Sequence, residues 1–334
     1  MGRTLPSLPP FLPLQPTTVM DTRQIGSLEV SLVGLGCNNF GWGLDEARSA
    51  AVIHAALDAG VTFFDTADIY GATQSEVFLG RALAGRRDSV VIATKFGMKV
   101  DDARHGAKPD YVRRAAEDSL RRLGTDRIDL YQLHQPDPTV PVADTLGALD
   151  DLVRAGKVRE IGCSNFSAAQ LREARAAAKR GAAQFVSVQN EYSLFNREPE
   201  REVLPECDRL DLAFLPYFPL ASGLLTGKYT AKSKFPKNDH RNRWDPKRME
   251  NDLKKVDRIR SILQTPRLTL VQAGLEFILS FETVNVVIPG AKRRDQILES
   301  LLATEEPKLR IEEISILRNL FEREPLFQTG FFKS

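Results

Sequence analysis

From Val30 to Ile288 the chain alternates short apolar runs with longer segments whose apolar positions recur at helical spacing. The runs are Val30–Val33, Thr62–Phe64, Val90–Ala93, Ile128–Leu133, Val158–Gly162, Phe185–Val188, Ala213–Leu215 and Val284–Ile288, and each predicts a strand. Between them the spacing predicts helices over Glu46–Ala59, Ser75–Leu83, Tyr111–Leu123, Val142–Arg154, Ser167–Arg180, Glu200–Leu210 and Leu270–Ser280. Ser75 and Ser167 stand where N-caps belong. Strict alternation of strand and helix makes a parallel sheet covered by helices. Eight such repeats in 334 residues favour closure into a (β/α)8 TIM barrel over an open doubly wound sheet.

A barrel of this kind places its active site where the strands end. The strand ends carry Asp65, Lys95, His134, Ser164, Asn165, Gln189 and Tyr217, so one mouth collects them, with Tyr70 on the loop after Asp65. Single polar residues at strand ends are common. An acid, a phenol and an amine together are more telling. A phenol titrating near ~10 is a poor acid at neutral pH, and a neighbouring ammonium favours its phenolate. Lys95 is expected to supply that charge, and Asp65 to keep Lys95 protonated. The motifs of other nucleotide sites fail. Gly34-Leu35-Gly36 continues as Cys37-Asn38-Asn39 without the third glycine of a Rossmann turn, and Gly223 to Tyr229 is one residue short of a P-loop.

Composition narrows the partners. The net charge of +2, from 46 basic and 44 acidic residues, gives no electrostatic reason to expect nucleic acid or a membrane surface. The basic stretch Lys228–Arg260 also holds Asp239, Asp245, Glu250, Asp252 and Asp257, which predicts a solvated mobile loop. Cys37, Cys163 and Cys207 are scattered, which argues for a reducing, cytoplasmic setting. His54, His105, His134 and His240 make no metal-ligand pattern, and no metal is expected. No apolar run approaches the ~18–20 residues that span a bilayer. Residues 1–19 hold five prolines and predict a disordered extension ahead of a single domain over 20–334.

The strings FFDTADIYG, ATKFG, DLYQLHQPD, GCSNF, VQNEYS, YFPLASGLLTGKY and VIPGAKRRDQILES follow one another from Phe63 to Ser300, within a resemblance that runs from about Asp21 to about Arg323. With them the chain resembles the aldo-keto reductase superfamily, in its branch similar to the potassium-channel β subunits. The resemblance implies a nicotinamide cofactor, NADPH rather than NADH, and reversible reduction of aldehydes, ketones or sugars. Asp65, Tyr70, Lys95 and His134 match the family's catalytic four. Ser164, Asn165 and Gln189 match residues at the nicotinamide carboxamide, and Tyr217 one that stacks on its ring. The segment Phe218–Lys228, with Pro219, Leu220, Ser222, Gly223, Leu224 and Lys228, resembles the pyrophosphate loop. Gly290, Lys292, Arg293, Gln296, Glu299 and Ser300 fall in the adenosine motif, with Lys292 and Arg293 beside the 2′-phosphate. Phe218 and Ser300 depart from the residues many relatives carry. Phe40, Trp42 and Phe96 are candidate walls for a small carbonyl or alcohol substrate. A second expectation is a cofactor-binding redox sensor on the same barrel, told apart by turnover of a generic aldehyde.

Overall fold

The chain enters through an antiparallel hairpin, β1 (Thr22–Ile25) and β2 (Leu28–Ser31), turned at Gly26 with φ +57°. Glycine reaches that left-handed conformation without the steric cost of a Cβ. The structure, a computed structural model, describes residues 20–235, 237, 240–263 and 267–320, so the extension expected at 1–19 lies outside it. Seven parallel strands follow in chain order: β3 (Leu35–Gly36), β4 (Phe63–Asp65), β5 (Val91–Phe96), β6 (Ile128–Leu133), β7 (Val158–Ser164), β8 (Phe185–Glu191) and β9 (Ala213–Tyr217). The segment Val284–Gly290 closes the ring. It bridges Phe214 on one side and Val33 and Gly36 on the other, with Gly34 N donating to Val287 O at 2.8 Å. The protein is a (β/α)8 barrel.

The run Val30–Val33 is therefore not the first barrel strand. Ser31 breaks it: its amide and hydroxyl exchange hydrogen bonds with Thr62, so Val30 stays in the hairpin while Val33 joins the barrel. The hairpin plugs the floor. Ile25, Leu28 and Val30 pack with Phe63, Val91, Ala93, Leu130, Ala213, Leu215, Val286 and Ile288, all buried inside the barrel.

Helices α1 (Glu46–Asp58), α2 (Gln74–Ala82), α3 (Pro109–Leu123), α4 (Val142–Arg154), α5 (Ala168–Ala177), α6 (Val203–Leu210), α7 (Pro246–Leu263), α8 (Leu270–Leu279), α9 (Arg294–Leu301) and α10 (Ile311–Leu320) surround the strands. Ser167 caps α5 through a capping box with Gln170, as expected. Ser75 does not cap α2. Thr73, at φ +77°, precedes the first turn, and the buried Ser75 hydroxyl instead ties Thr66 Oγ1 (2.8 Å) to Cys37 O (2.9 Å). The second correction is α7, where a mobile loop was expected. Its charges pair along one face, Lys254 with Glu250 at 2.8 Å and Arg260 with Asp257 at 2.9 Å, while Val256, Ile259 and Leu263 are buried on the other. No helix of the described residues is long and apolar enough to cross a membrane.

Candidate active site

Side chains alternate along a strand, so the step of two that puts Phe63, Ala93 and Leu130 into the apolar floor puts Asp65, Lys95 and Gln132 into the layer above. Lys95 is 0% exposed, and its Nζ donates to Asp65 Oδ2 at 2.6 Å and to Thr66 O at 2.8 Å. Asp65 Oδ1 accepts from Gln189 Nε2 at 2.8 Å and from Gln132 Nε2 at 3.4 Å. Gly162 makes room for this layer: a Cβ there would stand 3.2 Å from Gln132 Cγ and 2.5 Å from the Ser187 hydroxyl.

Tyr70 lies over the ion pair. The Lys95 ammonium is 5.1 Å from its ring centroid, the His134 ring meets it edge-on at 5.7 Å, and Trp42 tilts against it at 6.1 Å. Burial, then the negative charge of Asp65, pushes the phenol well above its ordinary value, with Cys37 and Asp68 adding to the rise. The expected lowering by Lys95 is thus not met in this arrangement, because the ammonium faces the ring and spends its donors on Asp65 and Thr66. Burial and the Lys95 charge push His134 well below its usual range, so the imidazole is neutral at pH 7. Its Nδ1 is buried without a hydrogen-bond partner.

Two loops meet at this edge. Gly41 and Gly71, at φ +83° and +60°, touch backbone to backbone, and a Cβ on Gly71 would stand 2.2 Å from Phe40 O. The contact sets Trp42, 62% exposed, at the rim above Tyr70. Phe40 and Phe96 are not walls of the mouth. Both are fully buried: Phe96 follows the inward Lys95 on β5 and so turns outward to the helix layer, against Tyr131 at 4.7 Å, and Phe40 folds back into the same core.

Ser164, Asn165, Gln189 and Tyr217 come together as one tied set. Ser164 Oγ donates to Gln189 O at 2.7 Å, Asn165 Nδ2 to His134 O at 2.9 Å, and the Tyr217 hydroxyl to Asn165 Oδ1 at 2.8 Å. The half-buried Tyr217 ring is thereby held in a fixed plane. After it the backbone turns left-handed at Phe218, Ala221, Ser222, Gly223 and Gly227. Along this loop Pro219 and Leu224 are buried and Leu220, Ser222 and Gly223 half-exposed.

Beyond this loop, cations crowd one another. Burial, then Arg241, Lys292 and Arg293, holds the Lys228 ammonium below its ordinary range, with Glu299 pulling the other way. Such a group suits an anion. Lys292 is exposed, its backbone N donating to Gln296 Oε1 at 2.7 Å. Arg293 is forked onto Asp295, at 2.9 and 2.7 Å, which leaves Lys292 better placed for a phosphate than Arg293. Gly290 is exposed at the closing edge and Glu299 is half-buried, its carboxyl raised chiefly by burial. Ser300 is buried, and its hydroxyl donates back to Gln296 O at 3.0 Å, which turns it away from the surface. A flat ring with phosphates attached fits the fixed Tyr217 plane and the crowded cations.

Sequence reasoning missed three features. Gln132 is the one amide of β6, at an inward position, and that parity was its signal. Arg241 lies over the rings of Tyr229 (5.3 Å) and Phe235 (4.7 Å), a contact no spacing announces. The third is a buried cluster behind β4 and β5. Glu76 there accepts from Arg122 Nε and Thr94 Oγ1, both at 2.6 Å, and lies beside Asp68.

Residues 32–322 match the Aldo/keto reductase family, and the chain belongs to it. Aldo-keto reductase YhdN of Bacillus subtilis (strain 168) is 38% identical over 295 residues, covering 84% of this chain and 86% of that protein. Two solved structures are similar at 30% identity. The holo form of aldo-keto reductase AKR11C1 from Bacillus halodurans superposes with a TM-score of 0.75 over 90% of this chain and 96% of that one. Glycerol dehydrogenase AKR11B4 from Gluconobacter oxydans does so with 0.79 over 92% and 99%.

Proposed function

We propose that this aldo/keto reductase, an oxidoreductase by family, reversibly reduces aldehydes, ketones or sugars to alcohols with NADPH, Tyr70 acting as general acid. One observation carries the reading: a phenol, a buried lysine paired to an aspartate, and a neutral histidine converge at the open end of the barrel. When bound, the nicotinamide supplies the hydride. The chain's residues do the rest. Tyr217 offers a fixed plane for stacking, and Ser164, Asn165 and Gln189 border the place where a carboxamide would lie. Neutral His134 keeps one N–H to donate to a carbonyl oxygen. Tyr70, its phenol raised by burial, stays protonated through the neutral range and gives its proton to the more basic alkoxide. Lys95, over the ring, stabilises the phenolate as it forms.

Lys292 and Lys228 are the cations we assign to the cofactor's phosphates, which favours NADPH over NADH. The kinship with a glycerol dehydrogenase makes small polyols and their carbonyl counterparts the first substrates to try. Three buried free cysteines suit a reducing compartment such as the cytoplasm. The test is Tyr70→Phe, which should lower kcat by ~10²- to 10⁴-fold while NADPH binding, followed by fluorescence, stays near that of the parent. Near-normal turnover in that variant would refute the acid assignment.

A further inference from the structure

Behind the wall that carries Lys95 lies a group of titratable side chains that the reaction does not use. Glu76 on α2 is fully buried and well partnered, by Arg122 Nε and by Thr94 Oγ1. Arg122 Nη2 also donates to Ser119 Oγ at 3.2 Å. Asp68, two residues before Tyr70, is 2% exposed. Its backbone N donates to Lys95 O at 3.1 Å, fastening it to the strand of the catalytic lysine. Its carboxyl takes one long side-chain hydrogen bond, from Tyr111 OH to Oδ2 at 3.5 Å, besides the Ile69 backbone, and Oδ1 has no partner within hydrogen-bond distance. The nearby Tyr131 hydroxyl is equally buried and unpartnered. Two carboxyl groups thus share one guanidinium, and the nearer contact goes to Glu76. A buried carboxylate without a cation is unfavourable, whereas a buried carboxylic acid is not.

We propose that Asp68 is a positioning residue for the reaction, working as an uncharged carboxylic acid whose ionisation restrains Tyr70 from giving up its proton. The inference rests on Tyr70 as the acid. The groups facing Asp68 are Glu76 from α2, Arg122 and Tyr111 from α3, Tyr131 from β6 and Tyr70 from its own loop, with Arg104 and Arg114 beyond Tyr111. Burial, then the Glu76 charge, raises Asp68 to about 8, against the pull of Arg122 and Tyr111. Once ionised it stands with Asp65 among the negative charges that raise the phenol. Turning Tyr70 into a phenolate beside two anions is harder than beside one.

The sign for stability follows. A carboxyl held protonated in the folded chain, and released near ~4 in the unfolded one, costs stability progressively as pH rises from about 4 to 8, and no further above that. The experiment compares the full-length parent with Asp68→Asn and Tyr111→Phe. Turnover of a generic aldehyde with NADPH is followed from pH 6 to 9.5, and Tm without ligand from pH 4 to 9. We expect parent kcat to step down from one plateau to a lower one around pH 8, as for a single ionisation that hinders Tyr70 without disabling it, and Asp68→Asn to lack that fall. The Tm of Asp68→Asn should pull away from that of the parent between pH 4 and 8 and then keep a constant lead. Tyr111→Phe, which removes the acid's only side-chain donor, should move the fall to higher pH. An Asn variant whose kcat falls at the parent's pH, or whose Tm tracks the parent's, overturns this role alone. Turnover surviving in Tyr70→Phe would overturn the acid reading, and this role with it.

Discussion

Asp65 and Asp68 are three residues apart and both buried, yet they face opposite sides of the same barrel wall. Asp65 ends β4 with its side chain inward, where Lys95 and two glutamines meet it. Asp68 follows the strand, turned outward to the helix layer, where the single arginine serves Glu76. Burial alone therefore says little about what a carboxyl group does. What decides is whether the fold has brought it a cation of its own, as it has for Asp65 and, on the outer face, for Asp129 with Arg87 and Arg159, but not for Asp68.

Breaking the inner site should have the largest effect. Lys95→Met strands Asp65 in the barrel, and removing one partner of a buried ion pair typically costs ~3–5 kcal/mol, read as a drop in the denaturant midpoint. It should also cost turnover on the scale of Tyr70→Phe, because the charge over the ring goes with it. A variant that lost stability but kept kcat would confine Lys95 to structure. The outer site should separate these two readouts. Arg122→Met leaves Glu76 and Asp68 without their cation, and a stability loss on the order of 3 kcal/mol is expected, less than for Lys95 because Arg122 keeps some solvent access. At pH 7 kcat should move far less. The alkaline fall should shift upward, since Arg122 is what pulls Asp68 down.

The smallest effect belongs to an exposed pair. Arg293 is bound to Asp295 at the surface, so Arg293→Ala should change NADPH affinity by less than ~3-fold, as pairs in water contribute little. Lys292→Ala should cost ~10-fold in NADPH affinity and leave NADH untouched, the loss of one charge-assisted bond. Equal effects from the two substitutions would mean that Arg293 leaves Asp295 to reach the phosphate.

The barrel was legible because strands buried on both faces read as short, mainly apolar runs, from Ile128–Leu133 to Val284–Ile288. The polar residues closing those runs marked the mouth. The hairpin was hidden because Val30 and Val33 read as one run across Ser31, and only the Thr62 hydrogen bonds separate them. Helix α7 was hidden by its charges, which outnumber the buried stripe of Val256, Ile259 and Leu263. Phe40 sits beside the right motif, but which way a loop ring folds depends on packing that spacing does not carry, whereas Phe96, next to the inward Lys95 on β5, was readable as outward from strand alternation. The outer cluster joins Asp68, Glu76, Tyr111 and Arg122 from a loop and two helices, and no local pattern links them. Asp295, two residues from Arg293, was in plain view as a competitor for that guanidinium.

The backbone contact of Gly41 with Gly71 bears on how such an enzyme acquires new substrates. Each βα loop of a barrel is usually free to vary alone, which lets one scaffold serve many chemistries. Here the first and second loops meet with no room for a methyl group, so a longer or bulkier graft into either one displaces the other and carries Tyr70 with it. Libraries that randomise the Trp42 loop should keep both glycines, or vary the two loops as one cassette.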